Sequence, residues 1–160
     1  MAGYGDFSYY YDLLTENVDY EKRCEYICGL LAENGISEGI LLDLACGTGT
    51  MSLLFAEKGY DVVGVDGSEE MLTQAQEKKM ESGADIIFLC QKMEELDLFG
   101  TIQCAVSTLD TFNHIDNIEK IEKDYLNFYN KKNKEDNNTK DLDKIFEQRF
   151  AVENNINKWF

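Results

Sequence analysis

The stretch Asp43-Leu-Ala-Cys-Gly47-Thr-Gly49 sets an acid just ahead of two glycines, where an apolar run gives way to a helix-forming segment. Glycines at such a junction let the chain turn tightly and let a ligand approach the main chain, and the helix that follows offers free N–H groups. A pair of glycines specifies little by itself. Nineteen residues beyond Gly47, however, a second apolar run, VVGV, ends in Asp66. An acid at a strand end can accept from both hydroxyls of a ribose. Acid, glycine loop and strand-end acid together predict a site for an adenosine-containing cofactor. A dinucleotide fingerprint would place a third glycine where Ser52 stands, so no pyrophosphate is expected and a nicotinamide-dependent oxidoreductase is disfavoured. Cys46 lies inside the loop with no histidine near it in sequence, and reads as a small packing residue rather than a nucleophile. Asp110 and His114 follow the fourth apolar run and are the candidates for a general base, although Asp110-Thr-Phe-Asn113 also reads as a turn or helix start. No catalytic residue is assigned.

The elements that must position these groups are short. Residues 40–44 (ILLDL), 61–65 (DVVGV), 86–90 (IIFLC) and 102–107 (IQCAVS) are apolar runs bounded by glycine or polar residues, as in buried strands of a parallel sheet. Residues 50–58 and 68–79 have helix-forming composition, and Ser68 is a good N-cap followed by Glu69 and Glu70 in the first turn. Ahead of the first strand, Cys24, Ile27, Cys28 and Leu31 fall on one helix face. The expected fold is therefore α/β, with alternating strands and helices.

At this point the chain resembles the class I S-adenosylmethionine-dependent methyltransferases, over residues 4–118. LLDLACGTG carries the likeness most strongly, followed by VVGVDGSEEML, with YDLL, IIFLCQKMEEL and STLDTFNHI as weaker marks. The resemblance implies a Rossmann-like three-layer sandwich around a parallel sheet, with the first strand central, the second and third to one side and the fourth to the other. It implies that Asp43 lies near the methionine amino group of S-adenosylmethionine and that Ala45, Gly47 and Gly49 line that moiety. Asp66 would hold the ribose, and Gly67, Ser68 and Met71 would border the adenosine. Gln91, Lys92 and Met93 would run along the adenine edge, and Leu109 would sit near the reacting methyl. Many relatives carry an acid where Lys92 stands; lysine cannot accept a hydrogen bond, so recognition of adenine there falls to backbone. Tyr9, Tyr10 and Tyr11 would cap the pocket as a lid, with Tyr11 on the cofactor, although a packed amphipathic helix accounts for them as well.

Composition narrows the partners. The net charge of −16 and a pI near 4.3 argue against a nucleic-acid or membrane partner, and the absence of an Asn-Pro-Pro-Tyr type motif in a chain without proline disfavours methylation of nucleic-acid amino groups. A small-molecule acceptor is expected. One histidine and five cysteines without CxxC spacing predict no metal and reduced thiols, and with no leader-like N-terminus the expected location is cytoplasmic.

Composition also divides the chain. Residues 1–116 carry 22 acids and 6 bases, whereas residues 117–160 carry 9 of each and hold 9 of the 12 asparagines. The expected organisation is a cofactor domain at 1–118 with an N-terminal helical lid, and an Asn/Lys-rich helical tail at 119–160. The sheet then looks incomplete at its C-terminal end, since the tail lacks the further strands of the relatives. An uncovered fourth strand would invite a homodimer. The alternative function is a cofactor-binding protein that has lost turnover and acts through assembly.

Overall fold

The computed structural model describes residues 4–92, 96–98 and 102–108. Two helices open the chain, α1 (Tyr4–Leu14) and α2 (Tyr20–Glu33). They are followed by β1 (Gly39–Leu44), α3 (Thr50–Glu57), β2 (Tyr60–Asp66), α4 (Glu69–Ser82), β3 (Ile86–Cys90) and β4 (Cys104–Ser107).

Local chemistry sets the helix ends. Asp19 caps α2 by accepting from the Lys22 N–H at 3.0 Å, and the Asn34 side chain closes its other end on the Leu30 carbonyl. Ser68 caps α4, accepting from the Met71 N–H at 3.2 Å, while Gly83 ends it in the left-handed region at φ +69°.

All four strands run parallel in the order β3-β2-β1-β4, so β1 is central as the resemblance implies. Passing from β1 to β2 and on to β3, each right-handed crossover moves the same way across the sheet, which puts α3 and α4 on one face. Strand register aligns Ile86, Val62, Leu41 and Cys104 in one row. Met51 and Phe55 of α3 and Cys24 and Ile27 of α2 join that row in the core. Burial of this face is the main stabilising contribution here. The described residues thus supply the sheet and one helical layer. The tail at 119–160 and the proposed boundary at 118 lie outside them.

Three of the four strands match their sequence expectation to within one residue at each end. The fourth starts later, at Cys104 rather than 102. Gln103 clasps the main chain of Ile40 from both sides instead. Its N–H donates to the Ile40 carbonyl at 2.9 Å, and its Oε1 accepts from the Ile40 N–H at 2.6 Å. That side chain lies where a Cβ on Gly39 would be, 2.7 Å away.

Candidate cofactor site

At the carboxyl end of β1 the chain enters the left-handed region three times in five residues, at Ala45 (φ +54°), Gly47 (+55°) and Gly49 (+77°). Ala45 does so without the freedom of glycine, a strained conformation of the kind that clusters at ligand sites. The two glycines differ in what surrounds them. A Cβ on Gly47 would meet no atom within 4 Å, whereas one on Gly49 would lie 2.9 Å from both Ala75 Cβ and Phe88 Cζ. Gly47 borders open space, and Gly49 lets α4 and β3 close under the loop. The Phe88 ring also needs Gly64, where a Cβ would approach it to 2.6 Å.

Asp43, the fifth residue of β1, is 1% exposed. Its Oδ2 accepts from the Ser52 hydroxyl at 2.6 Å, and its Oδ1 is buried with no hydrogen-bond partner among the described residues. Desolvation pushes its pKa up to about 7, against the Ser52 hydrogen bond and with the charge of Asp66 adding to the rise. A buried, unpaired carboxylate oxygen is costly unless a donor comes to it, and an ammonium group is the donor that chemistry favours.

Asp66 ends β2 and ties two loops together. Its Oδ2 accepts from the Gly47 N–H at 2.8 Å and its Oδ1 from the Ser68 N–H at 2.9 Å. Each oxygen keeps acceptor capacity for a further donor. Beyond it, Gly67, Cys90, Gln91 and Lys92 line a cavity of about 300 Å³. The Gln91 side chain is committed to the Asp97 main chain, donating at 3.2 Å and accepting at 3.1 Å.

Tyr11, Ala45, Cys46, Gly47 and Thr48 line a smaller cavity of about 30 Å³, with Tyr20, Thr50, Met51 and Thr108. Burial pushes the Cys46 thiol far up, which fits the reading of that cysteine as inert. Over this cavity α1 is held by a polar network. The Thr48 hydroxyl donates to Asp12 Oδ1 at 2.7 Å, and Lys78 Nζ pairs with Asp12 Oδ2 at 2.5 Å. Lys78 also donates to Thr48 Oγ1 at 3.1 Å and to Thr50 Oγ1 at 2.9 Å.

The structure therefore gathers Tyr11, Asp43, Ala45, Gly47, Asp66, Gly67 and Ser68 around the ends of β1 and β2. Gly49 serves packing beneath the loop. Ser68 acts as the α4 cap and donates to Glu70 Oε2, and Met71 is buried in α4. Lys92 is exposed at the larger cavity. Met93, Leu109, Asp110 and His114 lie outside the described residues. Sequence reasoning missed Asp12, Thr48, Ser52 and Lys78; of these only Ser52, nine residues past Asp43 on the first turns of α3, had a spacing that could have raised it.

No group of three or more metal-ligating side chains that could hold an ion occurs among the described residues. All five cysteines are free thiols.

Known proteins resemble this chain in sequence and in fold. YqeM of Bacillus subtilis is 41% identical over 113 residues, covering 70% of this chain and 44% of its own. An S-adenosylmethionine-dependent methyltransferase from Clostridium acetobutylicum superposes with a TM-score of 0.66 at 30% identity, over 76% of this chain and 50% of that one. Magnesium protoporphyrin IX methyltransferase from Synechocystis, solved with bound S-adenosylmethionine, does so at 0.53 and 27% identity, over 63% of this chain and 49% of that one. The chain spans about half the length of the curated relatives it matches. Residues 41–127, which take in the glycine loop, both acids and β4, match the methyltransferase domain family; this chain belongs to that family.

Proposed function

We propose that this chain binds S-adenosylmethionine across the ends of β1 and β2 and transfers its methyl group to a small-molecule acceptor. The observation that carries this reading is the orphaned Asp43 Oδ1 on the strand that leads into the loop where Gly47 is uncrowded. A buried carboxyl acceptor followed by an uncrowded main chain suits an amino-acid ammonium. When bound, S-adenosylmethionine supplies a methyl group on a sulfonium, which is its own leaving group.

The protein's part is positioning. Asp43, held by Ser52, fixes the amino group at one end. Asp66, held by the Gly47 and Ser68 N–H groups, fixes the ribose hydroxyls at the other. Gly67 and the main chain at Lys92 border the adenosine, in the larger cavity. A base is needed only where the accepting atom carries a proton to lose, and Asp110 and His114 are the candidates for it.

The small-molecule acceptor rests on charge: with a net charge of −16, the chain repels polyanions. No described helix is long and apolar enough to cross a membrane, and the free thiols suit the reducing cytoplasm. Calorimetric titration with S-adenosylhomocysteine, followed by a screen of methyl acceptors with labelled cofactor, tests the reading. Absence of binding overturns it. Binding without transfer to any acceptor points to the cofactor-binding alternative.

A further inference from the structure

We propose that Lys78 is a latch that holds α1 closed over the glycine loop, so that its release governs how fast the cofactor is admitted and lost. The inference rests on the cofactor site described above and concerns its regulation. Four polar contacts converge on the Lys78 ammonium and its partners. Asp12 comes from α1, Thr48 from the loop, Thr50 from the first residue of α3 and Lys78 from the middle of α4. One cation thereby ties three segments that are 36 and 30 residues apart in sequence.

Position makes the tie consequential. Tyr11, the neighbour of Asp12, lines the cavity over the loop, and that cavity holds only about 30 Å³, room for little more than a water molecule. With α1 in this place Tyr11 walls that cavity, and widening it for the methionine end of an adenosylated cofactor requires α1 to move.

Tyr10, Leu13 and Leu14 are 54%, 57% and 64% exposed, and the side chains that face inward include Ser8 and Asp12 as well as Tyr11. The polar network gives α1 a described hold that a single side chain can release. Asp12 and Lys78 are themselves part-exposed, at 41% and 25% of their side chains, so water and salt reach the pair and the latch can open. Thr48 is different. It is 2% exposed, and its hydroxyl donates to Asp12 while accepting from Lys78, which fixes the geometry in which the latch closes.

Hydrogen exchange of α1 amides in the ligand-free chain is the primary test, on wild type, Lys78→Met and Lys78→Arg. In Lys78→Met, exchange across 8–14 should rise about tenfold while the β1 and β2 amides keep their protection; Lys78→Arg, which can still reach Asp12, should restore most of it. Unchanged α1 exchange in Lys78→Met overturns the latch. Should that variant not fold, Thr50→Val and a salt series on wild type replace it: α1 exchange should rise with salt while strand exchange does not, and salt-independent α1 exchange overturns the proposal.

Surface plasmon resonance with S-adenosylhomocysteine gives the second readout. Association and dissociation rates should both rise about tenfold in Lys78→Met with the dissociation constant little changed, the mark of a gate rather than a contact. A weakened constant at unchanged association rate would assign Lys78 to binding and overturn the gate. Absence of binding to wild type would sink the cofactor reading, while α1 exchange would still decide whether the latch exists.

Discussion

Asp43 shows what a single buried carboxyl can do to the whole binding equilibrium. Its folded-state pKa of about 7 stands well above the ordinary carboxylate value. The stability that comes with its proton is therefore fully present below about pH 4 and is lost as pH rises through 7. The ligand-free chain should melt progressively lower between about pH 4 and 7 relative to Asp43→Asn and level off above that, measured by calorimetry; parallel profiles would show that Asp43 ionises freely. A ligand ammonium reverses the preference, so S-adenosylhomocysteine should bind more tightly as pH rises towards about 7, by up to tenfold per pH unit and with release of a proton, and level off above it. Titrations near pH 6.5 in two buffers of different ionisation enthalpy report that proton directly. Asp66→Ala should weaken binding by about 2–4 kcal/mol, the loss of two charge-assisted hydrogen bonds, whereas Glu70→Ala, which loses only an exposed contact with Ser68, should bind nearly as wild type. Equal affinities would remove Asp66 from the ribose. Asp43, Gly47 and Asp66 were legible in the sequence because their types and spacing suit only a few chemistries. Lys78 was not, because a lysine on a helix in this composition is indistinguishable from one that merely faces water until the fold brings Asp12 and Thr48 to it.

At the scale of elements, the two loop glycines separate binding from stability. Gly47→Ala places a methyl in open space at φ +55°. It should cost about 1–2 kcal/mol for the left-handed backbone and weaken cofactor binding at least tenfold. Gly49→Ala meets Ala75 and Phe88 at φ +77°, and should cost about 2–4 kcal/mol from backbone strain and overpacking together. Thermal melts and titrations of the pair check this; equal loss of stability in both would show that the loop relaxes around Gly49. Apolar runs, N-caps and glycines announced the strands and helices, since burial on both faces of a parallel sheet leaves near-continuous apolar segments. Neither the late start of β4 nor the role of Gly49 was legible. Both depend on a neighbour distant in sequence, Ile40 for Gln103 and Phe88 for Gly49, and spacing along one chain does not carry such contacts.

Across the whole molecule, a net charge of −16 makes self-repulsion a standing cost of compactness. About 0.5 M sodium chloride, where the screening length falls to a few ångströms, should therefore raise the melting temperature, though it loosens α1. A melting temperature that falls with salt would mean that attractive pairs such as Lys78 with Asp12 outweigh the repulsion. Among the described residues β4 has a ladder partner on one side only, β1, which is the ground for expecting two copies to associate. Light scattering at micromolar concentration should then return twice 18.3 kDa; a single-chain mass with β4 amides protected from exchange would show that the edge is covered within one chain. The Gln103 clasp bears on how such a sheet comes together in time. Its two bonds to Ile40 join residues 63 apart, so loop closure of that length precedes any gain from pairing β4 with β1. On a ribosome, β1, β2 and β3 can assemble from chain already released, while the wall of the site beside Asp43, where Val106 pairs in register, waits for the last described strand. Completion of the site should thus follow the assembly of the other three strands, and a nascent chain that has not reached residue 104 lacks the wall beside Asp43.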